Sequence, residues 1–161
     1  MIVLEGSDCV GKTTLADILC RQFALTYMHM GPPDAGFDHL GTYVRGYQPD
    51  RLWDRYHLGA LVYGWALGKS DPAPLDELAV VRTWLRKKGA LVVVVTADAD
   101  AIAARWKPER EAYKLETAQL ANDAYKRLPS DWWDLTIDTS HRAVLDSAER
   151  IADAWMQGRN R

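Results

Sequence analysis

The chain is poor in cysteine: Cys9 and Cys20 are its only two, and they form no CxxC pair. That excludes a disulfide scaffold or a zinc knuckle and suits a reducing cytoplasm. Long apolar runs are missing too. The longest, "ALVVVV" from Ala90 to Val95, is far short of the roughly 20 residues that cross a bilayer. No basic segment followed by an apolar stretch opens the chain, so no leader peptide is expected. Charge of one sign is also scarce. A formal net charge of −2 gives no global basic field to hold nucleic acid without sequence preference. His29, His39, His57 and His141 have no metal spacing, and there are no repeats or low-complexity tracts. These absences leave a soluble intracellular protein, and 161 residues fit one domain over 1–161.

What is present is an alternation of strand and helix signals. "MIVLE" is a short apolar run ending at a glycine loop, as a buried parallel strand would be. Leu15, Ile18, Leu19 and Phe23 come next at helical spacing. "YMHM" (Tyr27 to Met30) reads as a second strand stopped by Gly31-Pro32-Pro33. A short helix is expected between Asp34 and Asp50, then a strand "RLWD" and a helix on Leu58, Leu61, Val62, Trp65 and Ala66. After the loop Lys69 to Glu77, Asp76 reads as the N-cap of a helix carrying Leu78, Val81 and Leu85. "ALVVVVTA" is the strongest strand. Asp98 or Asp100 would cap the short helix after it, and a helix to about Leu128, a strand "LTIDT" and a closing helix end the pattern. Such alternation predicts an α/β fold, a parallel sheet with helices on both faces. Gly6, Asp54, Asp98 and Thr139 then share the rim at the carboxyl ends of the strands, where such sheets bind ligands. The seven tryptophans read mainly as core and interface filling.

The stretch "GSDCVGKTT" carries the chemistry. Gly6-x-x-x-x-Gly11-Lys12-Thr13 is a Walker A phosphate loop. Its glycines let backbone N–H groups turn toward phosphate oxygens, and the helix after it aims its N-terminus at them. Gly6, Cys9, Val10, Gly11, Lys12, Thr13 and Thr14 would cradle ATP, Lys12 neutralising phosphate charge and Thr13 ligating Mg²⁺. Asp8 is an unusual neighbour for a triphosphate.

Several segments in order resemble thymidylate kinase and its relatives among the nucleoside monophosphate kinases. "LEGSDCVGKTT" is similar to that family's strand and loop, with an acid two residues after the first glycine. "DRYHLGALVYG" resembles its DRY segment, with an aromatic residue, Tyr63, nine positions after Asp54. "LVVVVTADADAIAAR" resembles the fourth strand and the run into the lid, and "LETAQLANDAYKRL" and "LTIDTS" resemble the next helix and the last strand. The resemblance implies a nucleotide-kinase fold with five parallel strands in the order 2-3-1-4-5 and a lid at about 105–116. It implies a deoxynucleoside monophosphate kinase that moves the γ-phosphoryl of ATP to a dNMP in nucleotide biosynthesis.

The resemblance also implies roles for single residues. Asp8 would accept a hydrogen bond from the 3′-hydroxyl of the acceptor sugar, or hold its own loop by an Asx turn. Arg55 would clamp the acceptor phosphate, or pair with a neighbouring acid. Asp54 would hold the hydration shell of Mg²⁺. Tyr63 would press on C2′ and favour deoxyribose, or pack in the core. Arg105, Lys107, Arg110 and Lys114 are the lid cations, with Arg105 and Arg110 catalytic; a solvated mixed-charge helix is the alternative. A closing lid would supply charge that Cys9, standing where some relatives have arginine, does not.

The chain is short for this family, chiefly before Asp54. Arg45 would replace a missing phosphate-binding arginine, and Trp53, Tyr47, Phe37 or Trp65 would stack on a base. Such compact relatives look like those of phages, so the compartment would be a cytoplasm, a host's if the source is viral. The partner would be a small nucleotide, with neither nucleic acid nor membrane, and tryptophan-rich helices suggest a homodimer. The rival activity is phosphorylation of a hydroxyl, on a nucleoside or a modified base in DNA. Deoxynucleoside kinases usually carry a glutamate after the second strand, whereas "YMHMGPP" has no acid until Asp34.

Overall fold

The computed structural model of the protein describes residues 1–31, 36–69 and 73–159. Five strands, β1 Ile2–Glu5, β2 Thr26–His29, β3 Arg51–Asp54, β4 Leu91–Thr96 and β5 Leu135–Asp138, form one sheet in the expected order, β2-β3-β1-β4-β5. Every pairing is parallel. The connections among described residues carry α1 Lys12–Phe23, α2 His39–Gly46, α3 Leu58–Ala66, α4 Leu75–Lys87, α5 Ala99–Arg105, α6 Leu115–Arg127 and α7 Val144–Arg159.

Side chains alternate across a strand, and both faces of this sheet are covered, which is why its central strands read as unbroken apolar runs. Val3, Trp53, Val92 and Val94 point into one core with Tyr43, Leu61, Leu78 and Ala121 of α2, α3, α4 and α6. Ile2, Leu4, Leu52, Val93, Val95 and Ile137 point into the other, with Leu15 and Leu19 of α1 and Ile151 and Trp155 of α7. The register sets Leu4 beside both Asp54 and Val93, His29 beside Asp54, and Thr96 beside Asp138. The strands therefore end level, and Gly6, Asp54, Asp98 and Thr139 lie along one rim as expected.

Four local expectations change. Pro74, not Asp76, caps α4; its fixed φ suits a helix entrance, and Asp76 and Glu77 fall in the first turn, where the helix dipole favours acids. The segment 106–114 forms no helix, which removes the mixed-charge helix as the alternative to a lid. A short 3-10 turn, Ser130–Trp132, precedes β5, and β2 begins one residue before Tyr27. Of the two candidate caps for α5, Asp98 serves, accepting from the Ala101 N–H at 2.7 Å. The Pro32-Pro33 stop, Asp34 and part of the Lys69–Glu77 loop lie outside the described residues.

Candidate active site

The phosphate loop is held open by backbone constraints. A side chain at Gly6, φ +149°, would collide with the Val95 carbonyl of the neighbouring strand, so only glycine lets the chain leave β1 here. Gly11, φ +92°, stands at the N-cap of α1 with no side chain capping it. The first N–H groups of that helix are therefore left for an outside acceptor, and an anion suits them.

Lys12, Thr13 and Asp54 converge at this point. Lys12 Nζ donates to the Ser7 carbonyl at 2.5 Å and lies 3.8 Å from Asp54 Oδ1. Burial lowers its pKa, against the opposing pull of Asp54. The Thr13 hydroxyl and the Tyr27 hydroxyl each donate to Asp54 Oδ2 at 3.1 Å. Oδ1 is buried and accepts no hydrogen bond. A free buried carboxylate oxygen beside a threonine hydroxyl fits Mg²⁺, which is held through few protein oxygens and keeps several waters. Among the described residues no cluster of three or more His, Cys, Asp or Glu suits a metal held by protein alone.

Asp8 faces away from Lys12. Arg55 Nη2 donates to Asp8 Oδ1 and, at 3.2 Å, to the Tyr63 oxygen. The Tyr63 hydroxyl donates to Asp8 Oδ2 at 2.7 Å and accepts from the Asp8 N–H at 2.9 Å. The guanidinium also lies over the Tyr63 ring, 4.9 Å from its centre. Burial alone would raise the Asp8 carboxyl; Arg55 and Tyr63 outweigh it and hold the group below the usual range. Burial likewise works against the charge on Arg55, and Tyr63 and Asp8 more than restore it. Neither an Asx turn for Asp8 nor simple core packing for Tyr63 describes this arrangement: three side chains from separate elements are locked together. Arg55 Nε is buried and has no partner.

The lid candidates divide. Arg105 is anchored at the foot of the loop, donating to Thr139 Oγ1 at 3.0 Å, the Thr139 carbonyl at 2.7 Å and the Cys9 carbonyl at 3.4 Å. Thr139 in turn donates to the Val10 carbonyl at 2.8 Å. Arg110 lines the loop's cavity together with Asp8, Lys12, Thr13, Arg55 and Arg105. Glu111 enters the same cavity and accepts from the Cys9 thiol at 3.4 Å, and burial and that carboxylate push the thiol's pKa up to about 12. This cavity has about 570 Å³ free.

A second cavity opens on the far side of Arg55, which lines both. Its walls are Tyr43 of α2, Tyr56, Gly59, Ala60 and Tyr63 around α3, and Tyr113 of the lid segment, with Lys69 at its edge. Tyr113 leans on Tyr63, ring centres 5.1 Å apart. Only about 40 Å³ is free inside, room for a water or two. None of Trp53, Tyr47, Phe37 and Trp65 lines this cavity. Arg45 is not brought to it either: it lies on exposed α2 surface, paired with Asp38 at 2.9 Å. Tyr27, Tyr43, Tyr113 and Glu111 escaped the sequence reading because nothing local marks them. Glu5 had one signal, a charge ending a strand that is otherwise apolar.

No protein-family model matches the chain, and no curated protein sequence is similar to it. Solved structures are. The YorR protein of Bacillus subtilis, in complex with phosphorylated GDP, superposes with a TM-score of 0.81 over 99% of this chain and 98% of its own, at 19% identity. The fold is that of the P-loop kinases. Deoxyadenosine kinase of M. mycoides shares it more distantly: with bound dATP, TM-score 0.56, 12% identity, over 94% of this chain and 97% of that one. The same enzyme with products dCMP and dCDP gives 0.59, over 97% and 98%. Among the described residues no helix is long and apolar enough to cross a membrane.

Proposed function

We propose that the protein is an ATP-dependent kinase that transfers the γ-phosphoryl of ATP to the phosphate of a deoxynucleoside monophosphate, giving ADP and a dNDP. The observation that carries this reading is Arg55. Its guanidinium lies where the two cavities meet, with an Nε–H that is buried and bonds nothing. A donor of that kind suits a phosphate edge.

The acids nearby favour a phosphate acceptor over a hydroxyl. A hydroxyl must lose a proton to a base poised near neutral pH. Asp8 is held low by Arg55 and Tyr63, and Asp54 is occupied by Thr13 and Tyr27. An acceptor phosphate is already ionised and needs positioning and charge neutralisation instead. Gly6 to Thr14 would bind the donor phosphates, Arg105 and Arg110 would close on them, and Lys12 would track the transferring charge. Thr13 and Asp54 would hold Mg²⁺, which supplies further neutralisation of the phosphates. On the acceptor side, unused lone pairs of Asp8 would take the sugar 3′-hydroxyl and Tyr63 would crowd C2′. The tight second cavity implies that Tyr113 and the lid segment swing aside for the acceptor and return over it.

That the solved structure most like this chain among those above holds a phosphorylated nucleoside diphosphate supports a nucleotide acceptor. The shared fold with deoxyadenosine kinase motivates the second reading, a hydroxyl acceptor. Assay with MgATP against each dNMP, NMP and deoxynucleoside, monitoring ADP, separates them. Turnover with dNMPs above NMPs is the expected result; release of ADP only with nucleosides or DNA would replace this reading with the second.

A further inference from the structure

Arg55 holds a conformation that arginine does not favour. Its φ of +66° is left-handed, a cost of about 1–2 kcal/mol that persists only where the surroundings over-determine it. Three backbone bonds do so. The Arg55 N–H donates to the Leu4 carbonyl at 2.8 Å. The Tyr56 N–H and the Leu58 N–H donate at 3.1 and 2.9 Å to one atom, Glu5 Oε1. The other oxygen of Glu5 accepts from the Tyr125 hydroxyl of α6 at 3.0 Å.

Glu5 is fully buried and lines neither cavity, so it does not meet substrate. Nor is it neutralised by its nearest base. His57 Nδ1 lies 3.6 Å from Oε1, but burial and Arg82 lower its pKa to about 3, leaving it uncharged. A buried carboxylate in place of an apolar residue is costly. What it supplies is a bridge between the end of β1, the turn after Asp54 and α6.

We propose that Glu5 is a positioning residue that keeps the Arg55–Leu58 turn in the shape presenting the guanidinium to both cavities. The inference rests on the reading of Arg55 as the acceptor-phosphate clamp. It makes reach, not charge, the property that matters: Oε1 must meet two N–H groups at once.

Two variants separate reach from charge. Glu5→Gln keeps an oxygen at the same distance and loses the charge; Glu5→Asp keeps the charge and withdraws the oxygens by one methylene. The expected result is that Glu5→Asp raises the acceptor KM about tenfold or more with the ATP KM within about threefold, while Glu5→Gln keeps most acceptor use. Combined with Arg55→Met, Glu5→Asp should add little, as for residues acting through one group. Equal losses for ATP and acceptor, the reverse ranking of the two variants, or losses that multiply with Arg55→Met would overturn it. A second readout is independent of turnover. In amide spectra, the Tyr56 and Leu58 N–H signals and the Arg55 Nε–H signal should move in Glu5→Asp far more than in Glu5→Gln. Were the unaltered protein inactive on every dNMP, the kinase reading would fall; unmoved signals would instead sink the role of Glu5.

Discussion

The two cavities that meet at Arg55 are built from different materials. The donor side takes most of its contacts from one continuous stretch, Gly6 to Thr14, where backbone N–H groups and a helix N-terminus do the binding. The acceptor side is assembled from α2, the start of α3 and the lid segment, and aromatic side chains make its walls. One side is open, with about 570 Å³ free, and the other is nearly filled, with about 40 Å³. A phosphate loop can stand ready because its groups are fixed by the backbone. A pocket of tyrosines closes on itself when empty, since apolar surface left exposed is unfavourable. Acceptor entry must therefore move side chains, and donor entry need not.

That contrast can be broken by substitution. Lys12→Ala should lower kcat by about 10³-fold or more whatever the acceptor, measured by coupled ADP release. A separate test concerns the buried charge under the acceptor side. Burial raises the Glu5 carboxyl from 4.5 to about 7 despite bonds from Leu58, Tyr125 and Tyr56 and the charge of Lys12. A raised carboxyl pKa means the folded state holds its proton longer than the unfolded one. Its contribution is then full below about pH 4.5 and is lost as pH rises through about 7. Denaturant melts of the native chain and Glu5→Gln should differ least near pH 5. By pH 8 the variant should gain on the order of 3 kcal/mol relative to the native chain.

Arg55→Met should cut kcat/KM for the acceptor by about 10²-fold while calorimetry finds ATP affinity within about threefold; a matching loss of ATP affinity would erase the division between the two sides. Arg105→Ala is its mirror. With its bonds to Thr139 and Cys9 gone, the ATP KM should rise about tenfold and the acceptor KM stay put. The smallest effect belongs to Tyr63→Phe, which removes the hydroxyl shared by Asp8 and Arg55. About 1 kcal/mol, a few-fold in acceptor KM, is expected, with the preference for dNMP over NMP kept because the ring remains.

The same contrast governs what could be read in the sequence. The strand order, the rim and the loop were legible because each is encoded locally: apolar runs, glycine positions, a helix starting at Lys12. The partnership of Asp8, Arg55 and Tyr63 was legible only in part. The residues could be picked out, but that they bond to one another depends on β1 and β3 lying side by side with Leu4 against Asp54. The tyrosine pocket was not legible, since Tyr43, Tyr56 and Tyr113 look like any core aromatic until α2, α3 and the lid segment are brought together. Arg45 shows the converse error. It had the right chemistry for a phosphate, yet Asp38, N-cap of the same helix, holds it on the surface. Glu5 was visible as an acid closing a buried strand, a mismatch that signals a partner but does not name one.

The central claim is that the accepting atom is a phosphate oxygen. Phosphorus NMR of a reaction with MgATP and a mixture of one dNMP and its deoxynucleoside would test it in a single tube. The account predicts coupled α and β signals of a dNDP growing as ATP is consumed, with the nucleoside untouched. A new phosphomonoester signal formed from the nucleoside, with the dNMP unchanged, would contradict it.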